Sequence, residues 1–300
     1  MITILGPTAS GKTALAARLA YDLNGEIISA DSRQVYKGMD IGTGKDYEDY
    51  VVEGKTVPVH LVDIADPGYE YNIFEYQQDF TRVYNDIISR GRLPVLCGGS
   101  GMYLEAVLRG YKLNKMLNDP SLRSALESKS DEELRLILQE LRTPHNTTDL
   151  MDRKRMIKAI EISAVQEKNE NKDIGFLPIQ STIFGIRFER EALRKRITER
   201  LTTRLQSGMI EEVKALLDKG LTPGQLKFYG LEYRYITQYL IKELDYDDMF
   251  RLLNTAIHQF AKRQMTWFRR MERNGFTICW IDGTLDIEAK IGMIKSVLIK

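Results

Sequence analysis

The stretch Ile2-Thr3-Ile4-Leu5-Gly6-Pro7-Thr8-Ala9-Ser10-Gly11-Lys12-Thr13 decides the fold. Its first four residues form a β-rich run that stops at Gly6-Pro7, and residues 12–23 then carry Leu15, Leu19 and Leu23 at helical spacing before Asn24-Gly25. Between strand and helix stands Gly, four residues, Gly, Lys, Thr, which is the spacing of a phosphate-binding loop. The order matters physically. Glycines let successive amides turn inward, and the positive end of the following helix faces the same point. Lys12 adds a mobile cation, and the Thr13 hydroxyl can ligate Mg²⁺. Gly6, Pro7, Thr8, Ala9, Ser10, Gly11, Lys12 and Thr13 therefore read as the cradle of a diphosphate-bearing ligand, against the bland alternative of an empty Gly-rich turn.

A second apolar run, residues 26–29, follows at once, and a helix joining two short buried strands is the mark of a parallel βαβ unit. Residues 57–63 and 93–97 predict further strands with a helix over 74–89 between them. The expected class is α/β, a P-loop-type parallel sheet flanked by helices. Beyond Gly110 the pattern turns helical: Asp119-Pro120 can start one helix, and 132–141 and 152–166 predict two more. Residues 181–186 return as a strand, so 112–180 reads as an all-helical insertion into a core made of 1–111 and 181–300. Residues 168–173 are its linker candidate, helices dominate from 191 onward, a last strand falls at 276–281, and no internal repeat is found.

Composition narrows the classes. In 300 residues, 43 Lys and Arg nearly cancel 42 Asp and Glu, so a polyanion-binding face must come from segregated charge. Two cysteines and three scattered histidines give neither a disulfide framework nor a zinc cluster. No window reaches membrane-span length and no export signal precedes the first turn, so the expected setting is a reducing cytoplasm with no membrane partner. Nothing demands a dimer, and a monomer is the default.

Two carboxylates bear on the chemistry. Asp31 follows the second strand, and ligands of open parallel sheets sit beyond the carboxyl ends of strands, so Asp31 should share the phosphate loop's crevice. Repelled by a diphosphate, it would serve as a proton acceptor or else cap a helix starting near Ser32. Asp63 would organise a metal in a kinase, or cap the turn at Asp66-Pro67-Gly68.

The run from Glu26 through Ala30-Asp31-Ser32-Arg33-Gln34 to Gly42-Thr43-Gly44-Lys45, placed after GPTASGKT, resembles the tRNA dimethylallyltransferase (isopentenyltransferase) family. His60 to Asp63, Gly91 to Pro94, Gly98 to Tyr103, Arg155 to Glu161 and Ala261 to Arg269 continue the resemblance in order along nearly the whole chain. It implies transfer of a prenyl group from dimethylallyl diphosphate to N6 of adenosine 37 (tRNA numbering), with Mg²⁺ and with pyrophosphate rather than ATP in the loop. Asp31 becomes the base that takes the N6 proton, and Lys12 and Thr13 serve the diphosphate with Lys45 and Arg200. The tRNA wall implied by family position comprises Asp31, Ser32, Arg33, Gln34, Ser100, Arg123, Lys154, Arg155, Met156, Ile157, Lys158, Lys227, Phe228, Tyr229, Gly230, Leu231 and Glu232. Arg153, Lys154, Arg155 and Lys158 form one basic stripe, and 187–204 hold another; each also reads as a solvated helix face. Tyr36, Tyr103, Phe228, Tyr229, Trp267 and Phe268 offer stacking rings, with core packing the default for most.

The chain departs from the family pattern on its acceptor side, at Leu231-Glu232-Tyr233 and at His258, and also at Gly44 and Val59. Two alternatives stay open: prenylation of free AMP or a related adenine nucleotide, and a P-loop small-molecule kinase. An RNA-binding P-loop protein without catalysis is a third, opposed by Lys12, Thr13 and Asp31 standing together.

Overall fold

The computed structural model describes residues 1–113, 120–141, 153–168 and 176–299. The described chain divides into two compact units, Met1–Arg109 with Pro178–Lys300, and Gly110–Leu177.

The larger unit is built on a six-stranded sheet. Its strands are β1 (Ile2–Leu5), β2 (Gly25–Ala30), β5 (Val59–His60), β6 (Leu93–Gly98), β7 (Thr182–Arg187) and β8 (Ile278–Asp282). They lie in the order β5-β2-β6-β1-β7-β8, and every pairing is parallel. Two further strands, β3 (Val51–Val52) and β4 (Lys55–Thr56), form a separate small antiparallel ribbon. Parallel strands are buried on both faces, which explains their continuous apolar runs. Ile2, Ile4, Ile27, Val95 and Cys97 pack against helix α1 (Lys12–Asp22) and α12 (Ile287–Leu298) in one core. By alternation Leu5, Ile28 and Leu96 point to the opposite face, and all three are buried.

Helix α2 (Ile73–Ser89) begins at a capping box in which Asn72 and Glu75 satisfy each other's backbone amides. It packs on α3 (Gly101–Leu108), where Tyr76 and Tyr103 stack 4.1 Å apart. A second core of this unit joins α7 (Arg190–Gln206), α8 (Met209–Asp218), α9 (Pro223–Phe228), α10 (Leu231–Leu240) and α11 (Tyr246–Arg273) to Val35, Tyr36 and Met39 of the segment after β2. Among the described residues the smaller unit holds α4 (Pro120–Glu127), α5 (Asp131–Leu141) and α6 (Arg153–Lys168), closed over Leu126, Leu134, Leu138, Met156, Ile157 and Ile160.

Two expectations are corrected. The strand read over 57–63 is only two residues long, because Leu61 and Asp63 adopt left-handed backbone and turn the chain out of the sheet. No helix begins at Ser32. Asp31 instead caps a turn, its Oδ1 accepting from the Arg33 amide at 2.9 Å. Of the linker candidate 168–173, residues 169–173 lie outside the described residues. Among the described residues no helix is long and apolar enough to cross a membrane.

Glu26 on β2 is 2 % exposed and accepts hydrogen bonds from Arg90 and from His60 Nε2. The Arg90 guanidinium, helped by His60 and opposed by burial, holds its carboxyl down at about 2 instead of 4.5. A depressed folded-state pKa contributes stability that is complete above about pH 4.5 and lost as pH falls towards 2. Glu26→Gln should therefore cost about 2 kcal/mol at neutral pH, a figure reduced because Arg90 is partly exposed. Urea unfolding of both proteins between pH 2 and 7 (~0.5 pH steps) should show the gap closing below about pH 4.5.

Candidate functional site

The site is set by one rung of the sheet. Gly98 pairs with Leu5 on one side and with Ala30 on the other, so β1, β6 and β2 end level with one another. The next residues, Gly6, Gly99 and Asp31, leave the sheet side by side at its carboxyl edge. Strands lie about 4.8 Å apart, so the starts of the phosphate loop and of the Asp31 turn are roughly 10 Å apart across β6. That gap belongs to a cleft of about 540 Å³ lined by Lys12, Thr13, Asp31, Ser100, Arg200 and Glu232 among others.

The phosphate loop takes the conformation its glycines permit. Gly11 caps α1 with φ 78°, a left-handed value that suits glycine and opens the helix N-terminus to the cleft. Helix α7 braces the loop with arginines spaced by four residues. Arg196 donates from Nε to the Ala9 carbonyl at 3.0 Å, Arg200 enters the cleft, and Arg204 grips both oxygens of Asp46 at 2.9 and 2.8 Å. Burial lowers the Lys12 ammonium pKa, with Asp31 and Cys97 acting against the shift. Burial and the neighbouring Arg204 lower Arg200 to about 10, against Asp46, Glu232 and Asp31. Arg200 has no hydrogen-bond or ion-pair partner among the described residues. Burial raises the carboxyl groups of Glu232 and Asp49, which line the same cleft. The result is a pocket of desolvated cations with an unengaged guanidinium, a setting that favours a polyanion.

Asp31 is held at one oxygen only. Oδ1 accepts from the Arg33 amide, and Oδ2 has no hydrogen-bond partner among the described residues and is available to take a proton. The Ser32 amide donates to Ser100 Oγ at 3.1 Å, tying this turn to the loop after β6. Opposite, the Glu212 carboxylate of α8 collects the amides of Asp40, Ile41 and Gly42 at 2.8, 2.7 and 3.0 Å and the Tyr233 hydroxyl at 2.6 Å. Gln34 fastens the same loop through Gly44 O at 2.9 Å.

The cleft gathers Thr8, Ser10, Gly11, Lys12, Thr13, Asp31, Ser32, Arg33, Gln34, Ser100, Arg200, Lys227, Phe228, Gly230, Leu231 and Glu232 from the sequence reading. Gly6, Pro7 and Ala9 are buried within the loop. Lys45 does not line it: its ammonium is buried on Asp40 at 2.8 Å, on Asp63 and on the Tyr36 carbonyl. That ion pair, with Tyr47 on the other Asp63 oxygen, also commits Asp63 to structure. Tyr229 is a core residue, 2 % exposed, edge-on to Tyr36 at 4.6 Å. In the smaller unit Met156 and Ile157 are core residues as well, 0 % and 5 % exposed, so apolar packing and not a nucleic-acid face explains them. Arg123 there pairs with Glu127 at 3.2 Å, Lys158 is exposed, and the side chains of Lys154 and Arg155 lie outside the described residues.

Sequence reasoning did not assign Thr43, Asp46, Asp49, Arg204, Arg234, Phe260, Arg263, Gln264 or Trp267 to the cleft. Arg204 was findable, since it stands one turn beyond Arg200 on a helix. Thr43, Arg263, Gln264 and Trp267 lie in stretches that carry the family resemblance, and Trp267 reads as a stacking ring; Asp46, Asp49, Arg234 and Phe260 carry no such signal.

The IPP transferase family model matches residues 34–271 and an isopentenyl transferase model matches residues 1–64. The chain is 56 % identical to "tRNA dimethylallyltransferase 2" of Bacteroides fragilis, over 99 % of this chain and 97 % of that one. It is 55 % identical to "tRNA dimethylallyltransferase 1" of Parabacteroides distasonis, again over 99 % and 97 %. A crystal structure of a tRNA isopentenylpyrophosphate transferase from Bacillus halodurans shares the fold with a TM-score of 0.72 at 32 % identity, covering 99 % of this chain and 95 % of that one. A phosphate loop facing a carboxylate across one strand, matched over the full length by such relatives, places the chain in the IPP transferase family.

Proposed function

We propose that the chain transfers the dimethylallyl group of dimethylallyl diphosphate to N6 of an adenine in the tRNA anticodon loop, adenosine 37 in tRNA numbering. One observation carries the reading: the phosphate loop and the Asp31 carboxylate open onto a single cleft that also holds the half-buried Arg200, which has no hydrogen-bond partner among the described residues. The full-length relatives named for dimethylallyl transfer to tRNA support it.

In this reaction the allylic carbon–oxygen bond breaks, its electron pair stays on the diphosphate oxygen, and a carbon–nitrogen bond forms to N6. The N6 proton passes to Asp31. An exocyclic amine conjugated with its ring is a weak nucleophile, so proton removal as the bond forms is the task suited to the carboxylate. Charge building on the leaving diphosphate meets the loop amides, Lys12 and Arg200, which are already in place and desolvated. Among the described residues no three His, Cys, Asp or Glu side chains cluster to hold a metal. Mg²⁺ would be held by the Thr13 hydroxyl, diphosphate oxygens and water. Bound so, it would supply further charge stabilisation to the leaving group.

On the acceptor side, Ser32, Arg33, Ser100 and residues 227–232 would receive the extruded base, and exposed Phe228, with the Arg33 guanidinium 5.4 Å from its ring centre, offers a stacking surface. Arg123 and Lys158 of the smaller unit would contact RNA phosphates. A monomer is the proposed state, and a tRNA substrate implies a cytoplasmic setting.

Purified protein given radiolabelled dimethylallyl diphosphate and Mg²⁺ should label an anticodon stem-loop RNA and not AMP. Label in AMP alone would replace tRNA by a free nucleotide as acceptor, and label in neither would overturn the proposal. Asp31→Asn should lower kcat by about 10²–10⁴-fold while leaving pyrophosphate affinity in calorimetry nearly unchanged. Arg200→Ala should instead raise the pyrophosphate Kd by roughly 10–100-fold, the loss of a charged hydrogen bond.

A further inference from the structure

Gln264 of α11 is 7 % exposed and stands where the two halves of the cleft meet. Its carboxamide oxygen accepts from the Thr8 amide of the phosphate loop at 2.9 Å, and its nitrogen donates to the Gly99 carbonyl of the loop after β6 at 2.9 Å. The fit is close: a Cβ at Gly99 would strike the Gln264 amide nitrogen, and one at Gly101 would strike the Trp267 ring. Trp267, three residues along the same helix face, donates from Nε1 to Glu105 at 2.9 Å and moors α11 to α3.

Only a group of this length that is acceptor at one end and donor at the other satisfies both backbone partners. Asparagine is too short, an ionised glutamate sets a charge against the Gly99 carbonyl, and an apolar side chain leaves both unpaired. The connection continues, because Gly99 precedes Ser100, whose Oγ takes the Ser32 amide beside Asp31. Resting on the function proposed above, we propose that Gln264 is a positioning residue: its carboxamide holds the diphosphate cradle in register with the turn that carries the base. It also commits the Thr8 amide to protein, so the later amides of the loop are the ones left for the diphosphate.

The test is pyrophosphate binding by calorimetry, with Mg²⁺, to the wild-type protein, Gln264→Glu and Gln264→Leu from about pH 5.5 to 8 in steps of roughly half a unit. A protonated carboxyl reproduces the donor and acceptor of the carboxamide, whereas the ionised one does not. Gln264→Glu should therefore bind about 10–100-fold more weakly than wild type at the alkaline end and approach it at the acid end, and Gln264→Leu should be weaker at every pH. Titration of pyrophosphate itself is common to all three proteins, and Gln264→Leu supplies the uncharged reference. Wild-type affinity in both variants, or a loss in Gln264→Glu that does not narrow on acidification, would overturn the positioning role. Failure of the wild-type protein to bind pyrophosphate would overturn the proposed function and this inference with it.

Discussion

Everything chemical in this chain depends on three strands ending on one rung. Because Leu5, Gly98 and Ala30 are in register, the phosphate loop and Asp31 emerge from the same edge with only β6 between them. The roughly 10 Å between the start of the loop and the start of the Asp31 turn leaves room for an allylic chain and the edge of a base. A shift of one residue in the β2–β6 pairing would turn the β2 side chains to the opposite face and carry Asp31 out of line with the loop. The small residues at the rung follow from this crowding. A Cβ at Gly98 would run into the Ala30 backbone, and one at Gly99 into the Gln264 side chain.

The second condition is electrostatic. Lys12, Arg200 and Arg204 are brought into one partly dry cleft, and the cost shows in the lowered pKa values of Lys12 and Arg200. The protein answers unevenly. Arg204 is neutralised by Asp46, and Glu232 and Asp49 lie near, but Arg200 has no hydrogen-bond or ion-pair partner among the described residues. A strained set of cations next to an empty guanidinium is stabilised by an arriving diphosphate, which links binding of the donor to relief of repulsion already present in the fold. Glu212 does the opposite work nearby, where a half-buried carboxylate accepts from three amides and holds the turn at residues 40–42.

What was legible in the sequence was local. The glycine spacing of the loop, the strand before it, the helix after it and a carboxylate just past the second strand are all short-range signals, and each maps directly onto a placed residue. Lys45 shows where such reading stops. The family resemblance assigns it to the diphosphate, yet Asp40 and Asp63 close on it once the chain has folded back through the left-handed turns at Leu61 and Asp63. Met156 and Ile157 erred the other way, since their spacing with Ile160 already described an apolar helix face. Gln264 had no signal of its own, because its meaning lies in two backbone atoms more than 160 residues away.

The most direct test of this account is the position of pyrophosphate in a crystal of the protein grown with Mg²⁺ and pyrophosphate. The account predicts both phosphorus atoms inside the loop of residues 6–13, with oxygens about 3 Å from Lys12 Nζ and the Arg200 guanidinium and none on Asp31. Pyrophosphate bound elsewhere, or seated on Lys45 with its pairs to Asp40 and Asp63 broken, would contradict it.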